Sequence, residues 1–128
     1  MPLIDLIALL ALLQFFVFGA LVGRARGRYG VKAPAVTGHE MFERAYRVQM
    51  NTLELLVIFL PVLYLSARYW APLPAAIGGA IYLVGRVVYQ QAYLRDPDRR
   101  SLGFLLSMLP CMVLLAGALI GAVRAMMG

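Results

Sequence analysis

Apolar residues along this chain fall into four long runs, divided by short polar stretches. The runs cover about 3–23, 43–67, 75–94 and 98–127. A helix needs about 20 apolar residues to cross a bilayer, so each run predicts a membrane span. The expected fold is all-α, an integral membrane four-helix bundle forming one domain over residues 1–128. The first run is interrupted only by Asp5 and Gln14, and Gln14 is expected to bond to a neighbouring helix. Pro61 and Pro110 lie inside the second and fourth runs and are expected to bend them.

Two of the runs carry polar stripes. Arg47, Asn51 and Glu54 stand at i, i+4 and i+7, which places them on one helix face. Glu43 precedes Arg47 by four residues and is expected to bridge to it. Arg86, Tyr89, Gln90 and Tyr93 form a second stripe at i, i+3, i+4 and i+7. The second and third spans run antiparallel, so both stripes lie at the same end of the bundle. Charged groups there are costly to desolvate and are expected to face a bundle interior or a polar cavity.

The connecting stretches set the orientation. RARGRYGVKAPAVTGHEM, from Arg24 to Met41, reads as a loop punctuated by Gly27, Gly30, Pro34 and Gly38. It is basic through Arg24, Arg26, Arg28 and Lys32. Arg68-Tyr69-Trp70 fits an interfacial belt, and Pro72 and Pro74 mark a turn after it. Asp96 as N-cap, Pro97 as first helical residue and Asp98 in the first turn predict the start of the fourth helix. Arg95, Arg99 and Arg100 join the basic side, whereas Arg68 and Arg124 fall opposite. The basic side is therefore expected in the cytoplasm, with both termini outside. No Lys or Arg precedes Arg24, so the first run reads as a retained helix rather than a signal peptide. An Arg-rich, Lys-poor chain fits a bacterial inner membrane.

Composition narrows the class further. Of 128 residues, 62% are hydrophobic and 14% charged. The mean hydropathy is +0.81, which leaves no room for a separate soluble domain. The net charge of +6 does not indicate nucleic acid, because the basic residues cluster in loops between spans. Cys111, the single cysteine, lies inside the last run and reads as a small core residue. His39 stands alone without a second ligand at metal spacing, so no metal site is expected.

The basic ends of the second, third and fourth spans together offer Arg47, Gln49, Asn51, Glu54, Arg86, Tyr89, Tyr93 and Arg100. Taken singly, each suits an interhelical salt bridge or a snorkelling arginine. As a set they exceed what holding helices together requires. The excess is positive, so the implied ligand is small and anionic, with an ammonium for Glu54. Arg100 is expected on the first turn of the fourth helix, where free N–H groups and the helix dipole add positive potential. A thiol held there becomes easier to ionise. The chain has no suitable cysteine, so the thiol must come from the ligand.

The stretch from Glu43 to Glu54, ERAYRVQMNTLE, followed by Phe59-Leu60-Pro61, resembles the MAPEG family, membrane-associated proteins in eicosanoid and glutathione metabolism. Arg86, Tyr89 and Tyr93, with Arg100 seven residues on, extend the resemblance towards the leukotriene C4 synthase and microsomal glutathione transferase branch. The resemblance implies a homotrimer of four-helix subunits, with glutathione as co-substrate bound between neighbours. It assigns Arg26, Arg47, Gln49, Asn51, Glu54, Arg86, Tyr89 and Tyr93 to glutathione and Arg100 to its thiolate. The implied activity is a glutathione transferase, with peroxidase activity also open, acting on a hydrophobic electrophile or lipid from the bilayer. Leu55 departs from that branch, which has a tyrosine there, and Tyr89 replaces the histidine of the prostaglandin E synthase branch. Arg100-Ser101 matches the latter locally, so an isomerase stays open as an alternative. A non-catalytic lipid-binding scaffold of the same family is another, although that branch lacks the arginine set. A small cation exporter fits the length but not the basic stripes.

Overall fold

The computed structural model describes residues 1–128. It contains four helices: α1 (Pro2–Tyr29), α2 (Glu40–Tyr69), α3 (Pro72–Arg95) and α4 (Ser101–Met127), with a short 3-10 turn at Pro97–Arg99. All four are long and apolar enough to cross a membrane. The protein is thus an all-α, integral membrane four-helix bundle. α2 and α3 form its centre, and α1 and α4 flank them on opposite sides.

Every helix starts or ends away from the limit expected from hydropathy, and each shift has a local cause. α1 passes Gly23 and takes in Arg24, Arg26 and Arg28. Arginine is a good helix former, and cations favour a helix C-terminus. The helix ends only at Gly30, whose φ of 69° is left-handed and whose N–H bonds to the Arg26 carbonyl. α2 begins at Glu40, because His39 is extended and its Nδ1 accepts from the Met41 N–H at 3.1 Å. Glu40 and Glu43 in the first turn favour the dipole there. α3 takes in Pro72 and Pro74, which need no N–H in the first turn. The fourth helix does not start on the Asp96 cap. Asp96 instead caps the 3-10 turn, accepting from the Asp98 N–H at 3.0 Å, and α4 opens at Ser101 with Arg100 as its N-cap. α2 and α4 continue through Pro61 and Pro110.

The core is apolar and tightly stacked. Phe59 and Tyr82 lie face to face at 3.9 Å, amid Ile4, Ile7, Ala11, Leu55, Leu63 and Cys111. α3 and α4 meet through glycine. A Cβ on Gly103 would lie 2.3 Å from the Tyr89 nitrogen, and one on Gly85 would lie 2.6 Å from the Leu106 carbonyl carbon. Close backbone approach of this kind drives helix association where lipid removes any hydrophobic gain. Gln14 donates to the Leu83 carbonyl at 2.9 Å, joining α1 to α3. At the opposite end, Trp70 donates to the Gly117 carbonyl at 2.7 Å with Arg124 over its ring, and Tyr64 donates to Asp5 at 2.8 Å. Many apolar side chains face outward, among them Phe16, Val57 and Val113.

Candidate functional site

The two polar stripes and the start of α4 converge on one cavity of about 680 Å³. Its walls are Arg47 and Asn51 from α2, Tyr89 and Tyr93 from α3, and Arg100, Ser101, Phe104 and Leu105 from α4. The glycine seam sets this geometry. With Gly103 against the backbone of Tyr89, the first turn of α4 lies close beside the tyrosine stripe. Tyr89 is buried, with the Tyr93 ring 5.5 Å away and the Phe104 ring 6.4 Å away.

Arg100 sits at the rim. Its Nη1 donates to the Pro97 carbonyl at 2.9 Å, which holds the side chain beside the turn while it stays exposed. It belongs to the cap of α4 rather than to its first turn. The free N–H groups of Ser101 to Gly103 follow directly, so cation and dipole still act on the same space.

Arg47 pairs with Glu54, Nη1 to Oε1 at 3.1 Å. The expected Glu43–Arg47 bridge does not form. Glu43 accepts from the Gly38 N–H at 3.1 Å instead, and Arg44 bonds to Glu40. Both Arg47 and Glu54 are at least half exposed. A pair this exposed contributes at most about 1 kcal/mol and is easily exchanged for other partners.

Arg86 lies behind the wall rather than in it. It is fully buried, and no carboxylate reaches it. Its Nε donates to Ser107 Oγ at 2.9 Å, and its Nη1 donates to Asn51 Oδ1 at 2.8 Å and Thr52 Oγ1 at 3.2 Å. Its guanidinium carbon stands 4.3 Å from the centre of the Tyr89 ring. Nη2 has no partner, nor does the buried hydroxyl of Tyr82 one turn away. The charge of Arg86 is thus offset only by dipoles and a ring face, and the cavity in front of it is electropositive.

Two expected contacts lie elsewhere. Arg26 donates to the Ala35 carbonyl at 2.7 Å and covers the Phe42 ring, tying the α1–α2 loop to the bundle. Gln49 is turned towards Gly19 of α1. Both stand on the α1–α2 face, away from the cavity. Glu54 does not line the cavity either and touches it through Arg47. Ser101, Phe104 and Leu105 complete the wall and are not among the site residues expected from the sequence. They stand at i, i+3 and i+4, one helix face directly after Arg100, and that spacing is the signal for them. Thr52 and Ser107, which hold Arg86, leave no such trace.

The basic end of this membrane bundle thus brings two arginines, two tyrosines and an amide to one cavity, a donor set whose charge suits a small polar anion. The chain belongs to the MAPEG family, matching it over residues 4–120. It is 50% identical over 115 residues to an uncharacterised protein of Synechocystis, covering 90% of this chain and 84% of that one. It is 36% identical to human microsomal glutathione S-transferase 2 over 114 residues, 88% of this chain and 78% of the relative. Guinea-pig (Cavia porcellus) leukotriene C4 synthase is 35% identical over 115 residues, 90% of this chain and 77% of the relative.

Proposed function

We propose that this protein is a membrane-embedded glutathione transferase that binds glutathione in the cavity and activates its thiol at Arg100. One observation carries the reading: Arg47, Asn51, Tyr89, Tyr93 and Arg100, from three helices, converge on one electropositive cavity. Its volume, about 680 Å³, lies within the range of small-ligand pockets. Arginine suits carboxylates, and glutathione has two of them. Glu54, already beside Arg47, is the partner for its ammonium. The relatives named for glutathione transfer support the same ligand.

The chemistry follows from the rim. Arg100 and the free N–H groups of α4 favour the thiolate over the thiol. The thiolate sulfur then bonds to an electrophilic carbon of an apolar acceptor, which releases its leaving group or takes up a proton. In the peroxidase variant the thiolate attacks a peroxide oxygen, an S–O bond forms as the O–O bond breaks, the alcohol leaves with a proton, and a second glutathione reduces the sulfenic acid to give the disulfide and water. The acceptor arrives through the bilayer and is held by apolar helix faces, so binding places the two reactants together. Ser101 beside Arg100 favours a second reading, a glutathione-dependent isomerase acting at the same site.

Arg26 and Gln49 fit this reading in a homotrimer, where the α1–α2 face of one copy closes the cavity of the next. The basic end faces the cytoplasm, where glutathione is dissolved, with both termini outside, in a bacterial inner membrane. The test is calorimetric titration of detergent-purified protein with glutathione, followed by mass spectrometry for a thioether after adding an apolar aryl halide. Binding and a thioether support the transferase. Lipid binding with no glutathione binding would instead point to a scaffold.

A further inference from the structure

Arg86 is the largest fully buried side chain in the protein. A guanidinium only donates, so every atom it faces must accept. Ser107 and Thr52 accept through their hydroxyl oxygens, and neither hydroxyl is free to turn. Thr52 already donates to the Val48 carbonyl at 2.8 Å, and Ser107 to the Gly103 carbonyl at 2.7 Å. Asn51 must therefore present Oδ1 to Arg86, as it does at 2.8 Å. Its NH₂ group is what remains, and Asn51 also lines the cavity. An unrestrained asparagine offers a ligand either a donor or an acceptor. Here Oδ1 is committed to Arg86, so the NH₂ donors are what the amide turns to a ligand, backed by a buried charge with no acid beside it.

We propose that Arg86 is a positioning residue that locks Asn51 as a donor, so that Asn51 holds a carboxylate or carbonyl oxygen of glutathione and never its ammonium. The inference rests on the glutathione reading of the site and adds which way round the ligand lies. Glutathione carries charges of both signs, and a donating amide beside a buried cation turns its ammonium away, towards Glu54. Arg86 acts through Asn51 and not on the thiol, which lies with Arg100 at the rim.

The test compares N51D and R86M with the wild type by glutathione titration, steady-state kinetics and thermal melting in one detergent. In N51D one carboxylate oxygen takes the place of Oδ1 on Arg86, and the other faces the cavity. Glutathione affinity should fall by about tenfold or more, since a charge-assisted bond is lost and repulsion added, while the melting temperature does not fall. In R86M the amide is free to turn. The KM for glutathione should rise, while kcat at saturation and the thiolate absorbance persist because Arg100 is intact. A merely structural Arg86 would instead lower kcat, absorbance and melting temperature together. N51D binding glutathione as tightly as the wild type would overturn the proposal and leave the transferase reading standing, as would a clear drop in its melting temperature. Should R86M fail to fold, N51D decides alone. No glutathione binding by the wild type would overturn both readings.

Discussion

Replacing Gly103 with alanine should loosen the protein and its cavity together. The new Cβ would lie 2.3 Å from the nitrogen of Tyr89, 2.4 Å from its Cα and 2.8 Å from its Cβ. Two of these are backbone atoms, which cannot swing aside as a side-chain tip can. Carbon contacts settle near 3.5–4.0 Å, so α3 and α4 must part by roughly 1 Å. The displaced seam includes Gly85 against Leu106 and the 2.9 Å bond from Arg86 to Ser107. Overpacking of this size costs about 1–3 kcal/mol. Tyr89 moves with the seam, so the KM for glutathione should rise as well. The control is Gly27→Ala, a helical position with nothing within 4 Å of the added carbon. Alanine there should stabilise by about 0.5–1 kcal/mol, because it restricts the unfolded chain more than glycine does. Thermal melting by circular dichroism and glutathione titration read both effects. A G103A variant that melts and binds like the wild type, or a G27A variant as damaging as G103A, would refute this role of the glycine seam.

Other changes separate binding from folding. Glu54→Gln removes an exposed pair, so the melting temperature should shift by less than about 1 kcal/mol allows, while calorimetry should show weaker glutathione binding through the lost ammonium partner. Thr52→Val takes a buried acceptor from Arg86 and should destabilise by about 1–3 kcal/mol in denaturant titration. Arg26→Ala should weaken glutathione binding although Arg26 lies off the cavity, if the proposed homotrimer lets a neighbouring copy supply it. Co-expressed wild-type and R26A copies would then show wild-type copies with weakened binding, and unimpaired wild-type copies would contradict that assembly.

The spans and the stripes were legible because hydrophobic runs and helical spacing are local properties. Arg47, Asn51, Tyr89 and Tyr93 follow from helical spacing and Arg100 from the start of the fourth helix, and the fold brings all five to one cavity. Gln49 was also decidable by geometry. Two residues from Arg47 and two from Asn51, it is turned about 200° from both and must face another helix. The helix ends were less legible because hydropathy marks where lipid stops, not where hydrogen bonding stops. The arginines at the end of α1 are polar and helical at once. Arg86 shares a stripe with Tyr89, but its burial depends on Thr52 and Ser107, which only the packing of α2 and α4 brings to it. The Arg47–Glu54 pair replaced the expected Glu43 bridge because the turn at Gly38 claimed Glu43.

In the proposed mechanism Arg100 turns bound glutathione into a thiolate. An ultraviolet difference spectrum on adding glutathione to the purified protein, wild type beside Arg100→Ala, tests it most directly. A thiolate band is expected in the wild type and is lost in the variant while glutathione remains bound. A band of equal size in both proteins, or bound glutathione without a band in the wild type, would contradict it.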